Sequence, residues 1–125
     1  MIAVDTNVLR HYLRGRIDSY TAMVAEAINA DEASLPPIVL TEALSDPQLT
    51  ANDLDKTLEI PLVRMYDGYW RRAGDLRRRL IREARSAPIA DCLIAQSCID
   101  SDLPLLTYDR DFTRFVQAGL KLFEV

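Results

Sequence analysis

At 125 residues, with 15 Lys plus Arg against 19 Asp plus Glu and a net charge of −4, the chain has the size of one domain. Its 49% apolar and 27% charged residues are ordinary globular values, which exclude a disordered chain, a collagen-like fibre and a disulfide-rich miniprotein. A chain of this length buries roughly two thirds of its unfolded surface, enough for a core without metal or disulfide staples.

In chain order, Ile2-Ala3-Val4 reads as a short buried strand, followed by helical patterns over Asn7 to Arg14 and Asp18 to Ala30. Ala33 to Pro36 is a weaker strand, and Pro36-Pro37 closes it and opens a helix over Pro37 to Ser45, because a proline in the first helical turn forfeits no hydrogen bond. Asp46-Pro47 marks the stop, and Leu58 to Val63 is a second weak strand. Helices over Tyr66 to Arg85 and Ile89 to Ser101 precede a strand over Leu103 to Leu106. A last helix over Asp111 to Ala118 ends at Gly119, before a strand over Leu120 to Val125. Branched apolar strands alternating with helices imply a three-layer α/β/α domain around a parallel sheet of four or five strands. No repeat, linker or low-complexity tract divides the chain.

No apolar run reaches the roughly 18 residues of a membrane span, and the start lacks the basic segment and apolar stretch of a signal peptide, so a cytoplasmic protein is expected. Cys92 and Cys98 have the spacing of neither a redox pair nor a zinc site and are expected in the core.

The acids carry the chemistry through their positions. Asp5 ends the first strand, Asp109 follows the strand at Leu106, Glu42 lies in the helix opened by Pro37, and Asp91 lies in the helix starting at Ile89. In a parallel α/β sheet, strand carboxyl ends and helix N-termini share one edge, so four carboxylates can converge. Burying such acids together is unfavourable unless a cation compensates, and oxygen donors suit Mg²⁺ or Mn²⁺. Asp5 and Asp109 also qualify as plain helix caps, whereas Asp91 falls inside its helix. His11, the single histidine, sits in the first helix and offers no basis for a histidine-based nucleophile.

Thirteen of the 15 basic residues are arginines, and seven of them fall between Arg71 and Arg85. At helical spacing Arg71, Arg78, Arg82 and Arg85 share a face, opposite Trp70, Ala73, Leu76, Leu80 and Ile81 as the expected buried side. That face is either solvated or a grip on a nucleic-acid backbone, with Arg78 and Arg82 the candidate contacts. The 4 glycines form no phosphate-binding cluster, which excludes a Rossmann or P-loop site.

Val4-Asp5-Thr6-Asn7-Val8-Leu9, Ile38 to Leu44, Ala90-Asp91-Cys92-Leu93-Ile94-Ala95 and Leu105 to Phe112 together resemble PIN domains, and more closely the VapC-type toxin ribonucleases of bacterial and archaeal toxin–antitoxin pairs. Order and spacing agree from residue 2 to residue 123. The resemblance implies a helix-sandwiched parallel sheet and an acidic pocket that binds Mg²⁺ or Mn²⁺ and hydrolyses RNA. By position it assigns the acidic set to Asp5, Glu42, Asp91 and Asp109, with Asp111 an alternative to Asp109. Thr6 and Asn7 become supporting polar residues, and Thr107 a threonine orienting the last acid. It also implies a cognate antitoxin protein and a homodimer; Tyr12, Tyr66, Tyr69 and Trp70, aromatic residues with polar tips, read equally as the surface such a partner covers or as core. A PIN-type nuclease outside such a pair is the nearest alternative. A haloacid-dehalogenase-like phosphatase is more distant, because position 7 holds Asn7 where that chemistry wants a second acid, and Lys56 and Lys121 are the only lysines.

Overall fold

A computed structural model describes residues 1–125. The elements are β1 (Ile2–Val4), α1 (Thr6–Leu13), α2 (Ser19–Asn29), β2 (Ala33–Ser34), α3 (Pro37–Leu44), α4 (Ala51–Leu58), α5 (Tyr69–Arg82), α6 (Ile89–Ser101) and β3 (Leu105–Leu106), followed by a 3₁₀ helix over Arg110–Ala118. The sheet is parallel, in the order β2-β1-β3, with Ala3 aligned with Ser34 on one side and with Leu105 on the other. Consecutive strand residues point to opposite faces. Since Ile2, Ala3 and Val4 are all buried, as are both residues of β2 and of β3, helices and loops cover both faces of the sheet.

The sheet has three strands, where four or five were expected. The two missing strands survive as single parallel bridges, Leu62 beside Leu35 and Leu122 beside Leu105. At the first, Leu35 donates to the Pro61 carbonyl and accepts from Val63, and the ladder cannot continue because Pro36 and Pro37 bring no N–H. At the other edge Leu105 bonds in the same way to Lys121 and Phe123.

Local chemistry explains the helix boundaries. Pro36 and Pro37 open α3, Asp18 caps α2 in a reciprocal capping box with Thr21, and Gly119, at φ 110°, ends the 3₁₀ helix in the left-handed region. Helix α4 was not foreseen, although Thr50 and Asp53 form a capping box at its start. Helix α5 is shorter than the expected Tyr66–Arg85 because Gly68, at φ 84°, turns the chain into it.

The core gathers the sheet with Val8, Leu9, Val24, Val39, Ile94, Phe112 and Phe115. Cys92 and Cys98 are free and buried within it, and burial pushes the Cys98 thiol up to about 12. No helix is long and apolar enough to cross a membrane.

Candidate functional site

The chain runs from β1 through α1 and α2 to β2 on one side, then crosses to β3 on the other, so the strand order reverses beside β1. Such a reversal leaves a crevice at the carboxyl edge of a parallel sheet. Asp5 sits at that edge as the N-cap of α1, only 5% exposed. Its Oδ1 accepts from the Thr6 amide at 2.7 Å and its Oδ2 from the Thr107 hydroxyl at 2.6 Å. Asp5 is therefore a helix cap, and capping α1 is compatible with its being a candidate site residue.

A hydrogen-bonded chain extends from it on both sides. The Thr6 hydroxyl donates to Glu42 Oε1 at 2.7 Å, tying α1 to the middle of α3. The Thr107 hydroxyl, having spent its proton on Asp5, accepts from the Asp109 amide at 3.0 Å. Thr107 therefore orients Asp5 directly and holds the backbone, not the carboxylate, of Asp109. Asn7 braces the same turn, donating to the Thr107 hydroxyl at 3.5 Å and accepting from the Tyr108 amide at 3.4 Å. Asp109 caps the 3₁₀ helix by accepting from the Asp111 amide at 2.8 Å, while Asp111 itself is exposed.

Asp91 lies in the first turn of α6, half-buried, and its Oδ2 accepts from Arg114 Nη2 at 2.6 Å. Arg114 comes from the 3₁₀ helix and was not foreseen as a site residue. The sequence carries no local signal for it, because the contact depends on that helix folding back onto the start of α6.

Electrostatics mark these residues as one group. Burial pushes the Asp5 carboxyl up to about 6, against the hydrogen bonds from Thr107 and Thr6 and with the negative charges of Glu42 and Asp91 adding to the rise. Burial also raises Asp91, opposed by the guanidinium of Arg114 and reinforced by Asp109 and Glu42. The four acids thus feel one another. Asp109, and not Asp111, is the acid of its turn whose charge reaches Asp91.

No three His, Cys, Asp or Glu side chains lie close enough to hold an ion as they stand. The hydrogen bonds supply the reason: Asp5 is turned onto Thr6 and Thr107, Glu42 onto Thr6, and Asp91 onto Arg114. The donor chemistry nevertheless fits a hard divalent cation, for carboxylates gather at one end of a sheet, and two of them, Asp5 and Asp91, resist ionising there.

The arginine helix differs from expectation. Ala73, Leu76 and Leu80 are buried, but Trp70 is 68% exposed and Ile81 52% exposed. With Ile89 and Leu93 they line an apolar groove of about 410 Å³ between α5 and α6, edged by Arg77, Arg78 and Arg82. Tyr69, which reads equally as interface or core in the sequence, is a core residue whose hydroxyl donates to the Leu93 carbonyl at 2.7 Å. Much of the arginine charge is already engaged: Arg72 with Asp100 at 2.6 Å, Arg78 with Asp75 at 2.8 Å and Arg79 with Glu83 at 3.5 Å. Arg82 has no acidic partner.

A family model described as the PIN domain matches residues 2–117. The chain belongs to the PIN domain family. PIN domains are nucleases, and they generally use divalent metal ions. Among solved structures, the fold is similar to a chain of VapBC2 from Rickettsia felis, bound there to a DNA fragment from their promoter, with 21% identity and a TM-score of 0.74 over 98% of each chain. It is also similar to VapBC-5 from Mycobacterium tuberculosis, a member of the VapBC family of toxin–antitoxin systems, with 22% identity and a TM-score of 0.67 over 99% of this chain and 98% of that one. No curated protein matches the sequence significantly.

Proposed function

We propose that this PIN domain is a metal-dependent endoribonuclease, the toxin of a type II toxin–antitoxin pair, with its active site at Asp5, Glu42, Asp91 and Asp109. The observation that supports the reading is Asp5, buried beside the reversal of strand order and raised to about 6, with the charges of Glu42 and Asp91 adding to the rise. The similarity to VapBC folds supports the toxin assignment.

Asp5, Glu42, Asp91 and Asp109 are the residues that would hold Mg²⁺ or Mn²⁺. Such an ion supplies positive charge to the scissile phosphate and lowers the pKa of a bound water, so that hydroxide is available near neutral pH. The chain's own contribution is placement. Thr6 holds Glu42, Thr107 holds Asp5, and Asn7 steadies the turn that carries both Thr107 and Asp109. Asp111, exposed on the same turn, is the reserve for the fourth position.

RNA, at a net protein charge of −4, needs a local positive surface, and Arg78 and Arg82 on α5 supply it. The chain acts as a cytoplasmic homodimer and is restrained by a cognate antitoxin protein. The phosphatase alternative loses ground at Asn7, whose amide is committed to Thr107 and Tyr108.

The deciding experiment follows cleavage of labelled RNA by the purified chain in Mn²⁺ and in excess EDTA, with Asp5→Asn and Asp91→Asn as controls. Cleavage is expected in Mn²⁺ only, and neither variant should cleave. Undiminished cleavage in EDTA removes the metal mechanism, and normal cleavage by both variants removes the pocket.

A further inference from the structure

Among the acids of the pocket, Asp91 alone is bonded to a cation. Asp5, Glu42 and Asp109 rest on hydroxyls and backbone amides, whereas Asp91 Oδ2 accepts from Arg114 Nη2 at 2.6 Å. The Arg114 side chain is 13% exposed, and its guanidinium lies 5.0 Å from the centroid of the Phe115 ring, itself fully buried. Its Nε is buried without a hydrogen-bond partner, the single side-chain nitrogen or oxygen in the protein left so. A guanidinium gives up a donor in this way only where its position is set by other contacts, and here those are the Asp91 carboxylate and the Phe115 face.

We propose that Arg114 is a positioning residue that acts as a tethered counter-ion: it holds Asp91 while the pocket lacks metal, must yield Asp91 Oδ2 for a divalent cation to be bound, and so weakens the pocket's hold on that cation. The inference rests on the metal-pocket reading above. One positive charge at Asp91 offsets the crowding by Glu42 and Asp109, which lets the chain fold around the acids in the absence of metal. The same charge, held in place by Phe115, opposes a second cation brought to the same carboxylate. The pocket therefore trades cation affinity for order in the metal-free state.

The test is calorimetric titration of MnCl₂ into the metal-free protein, comparing wild type with Arg114→Gln, Arg114→Lys and Asp91→Asn, each checked for folding by circular dichroism. Arg114→Gln should bind Mn²⁺ roughly fivefold tighter, Arg114→Lys, which keeps the charge, within about twofold of wild type, and Asp91→Asn more weakly. A residue with only a structural role predicts the opposite sign, since a loosened pocket binds metal less well. Equal or weaker binding by Arg114→Gln, or a Lys variant as tight as the Gln variant, overturns the proposal.

Should Arg114→Gln fail to fold, the wild type still decides. Nuclear magnetic resonance signals of the Arg114 guanidinium should shift on addition of Mg²⁺, and signals unmoved at saturating Mg²⁺ overturn the proposal. If wild type and Arg114→Gln both bind no Mn²⁺, the metal reading itself falls and carries this inference with it. Binding by wild type without tightening in the variant leaves that reading intact and removes only the role of Arg114.

Discussion

At the scale of single residues, Asp5 shows how a buried carboxylate costs stability. Its carboxyl is raised from 3.8 to about 6, so the folded protein binds a proton there more tightly than the unfolded chain does. Stability from this group is fully present below about pH 4, is lost as pH rises through 6, and leaves a penalty of about 3 kcal/mol at neutral pH. Asp5→Asn keeps the shape and cannot ionise. In chelator, its stability should exceed wild type above pH 6 and converge with it near pH 4, read from denaturant unfolding across that range. Parallel curves would show that Asp5 carries no such penalty. Asp5, Asp91 and Asp109 stood out in the sequence because strand ends and helix starts are local features, and Glu42 because it lies within an apolar helix opened by Pro37. The bonds that hold them were not legible there. Thr107 reaches Asp5 across 102 residues and Arg114 reaches Asp91 across 23, and neither pairing leaves a trace in spacing.

At the scale of elements, the apolar runs identified strands correctly where both faces are buried, as in β1, but overstated their extent at the edges. Hydropathy reports burial, whereas a ladder also needs donors, which the prolines at 36, 37 and 61 withhold. Helix α4 was missed in the opposite way: its capping box was present in Thr50 and Asp53, but residues 50–57 were given no element. On α5 the periodicity located Ala73, Leu76 and Leu80 correctly and misplaced Trp70 and Ile81, whose side chains line a groove instead of the core. The ion pairs on this helix also sort its arginines. Arg78 is half neutralised by Asp75, whereas Arg82 is free, so Arg82→Gln should lower the slope of RNA affinity against salt by about one counterion and Arg78→Gln by less. Filter binding of a short RNA over a range of salt concentrations measures both. Equal, unchanged slopes would return α5 to a solvated surface.

At the scale of the whole molecule, charge is divided by position: the sheet edge gathers carboxylates, α5 gathers arginines, and the net charge of −4 is the remainder. A dication that binds only the folded chain stabilises it by mass action, by about 2.7 kcal/mol at a hundredfold excess over Kd, which in a domain of this size raises the unfolding midpoint by several degrees. Mn²⁺ should produce that rise in wild type and not in Asp91→Asn. The same measurement examines the partner. Arg114 already shows that a guanidinium can occupy Asp91 in this pocket, so an antitoxin that inserts an Arg or Lys would use the same chemistry from outside and neutralise the remaining acids. The complex purified by co-expression with a cognate antitoxin should then resist thermal unfolding more than the free chain, cleave no RNA, and gain nothing further from Mn²⁺. A complex whose midpoint still climbs with Mn²⁺ as the free chain's does would place the partner away from the acids, and inhibition would have to come from covering the RNA surface instead.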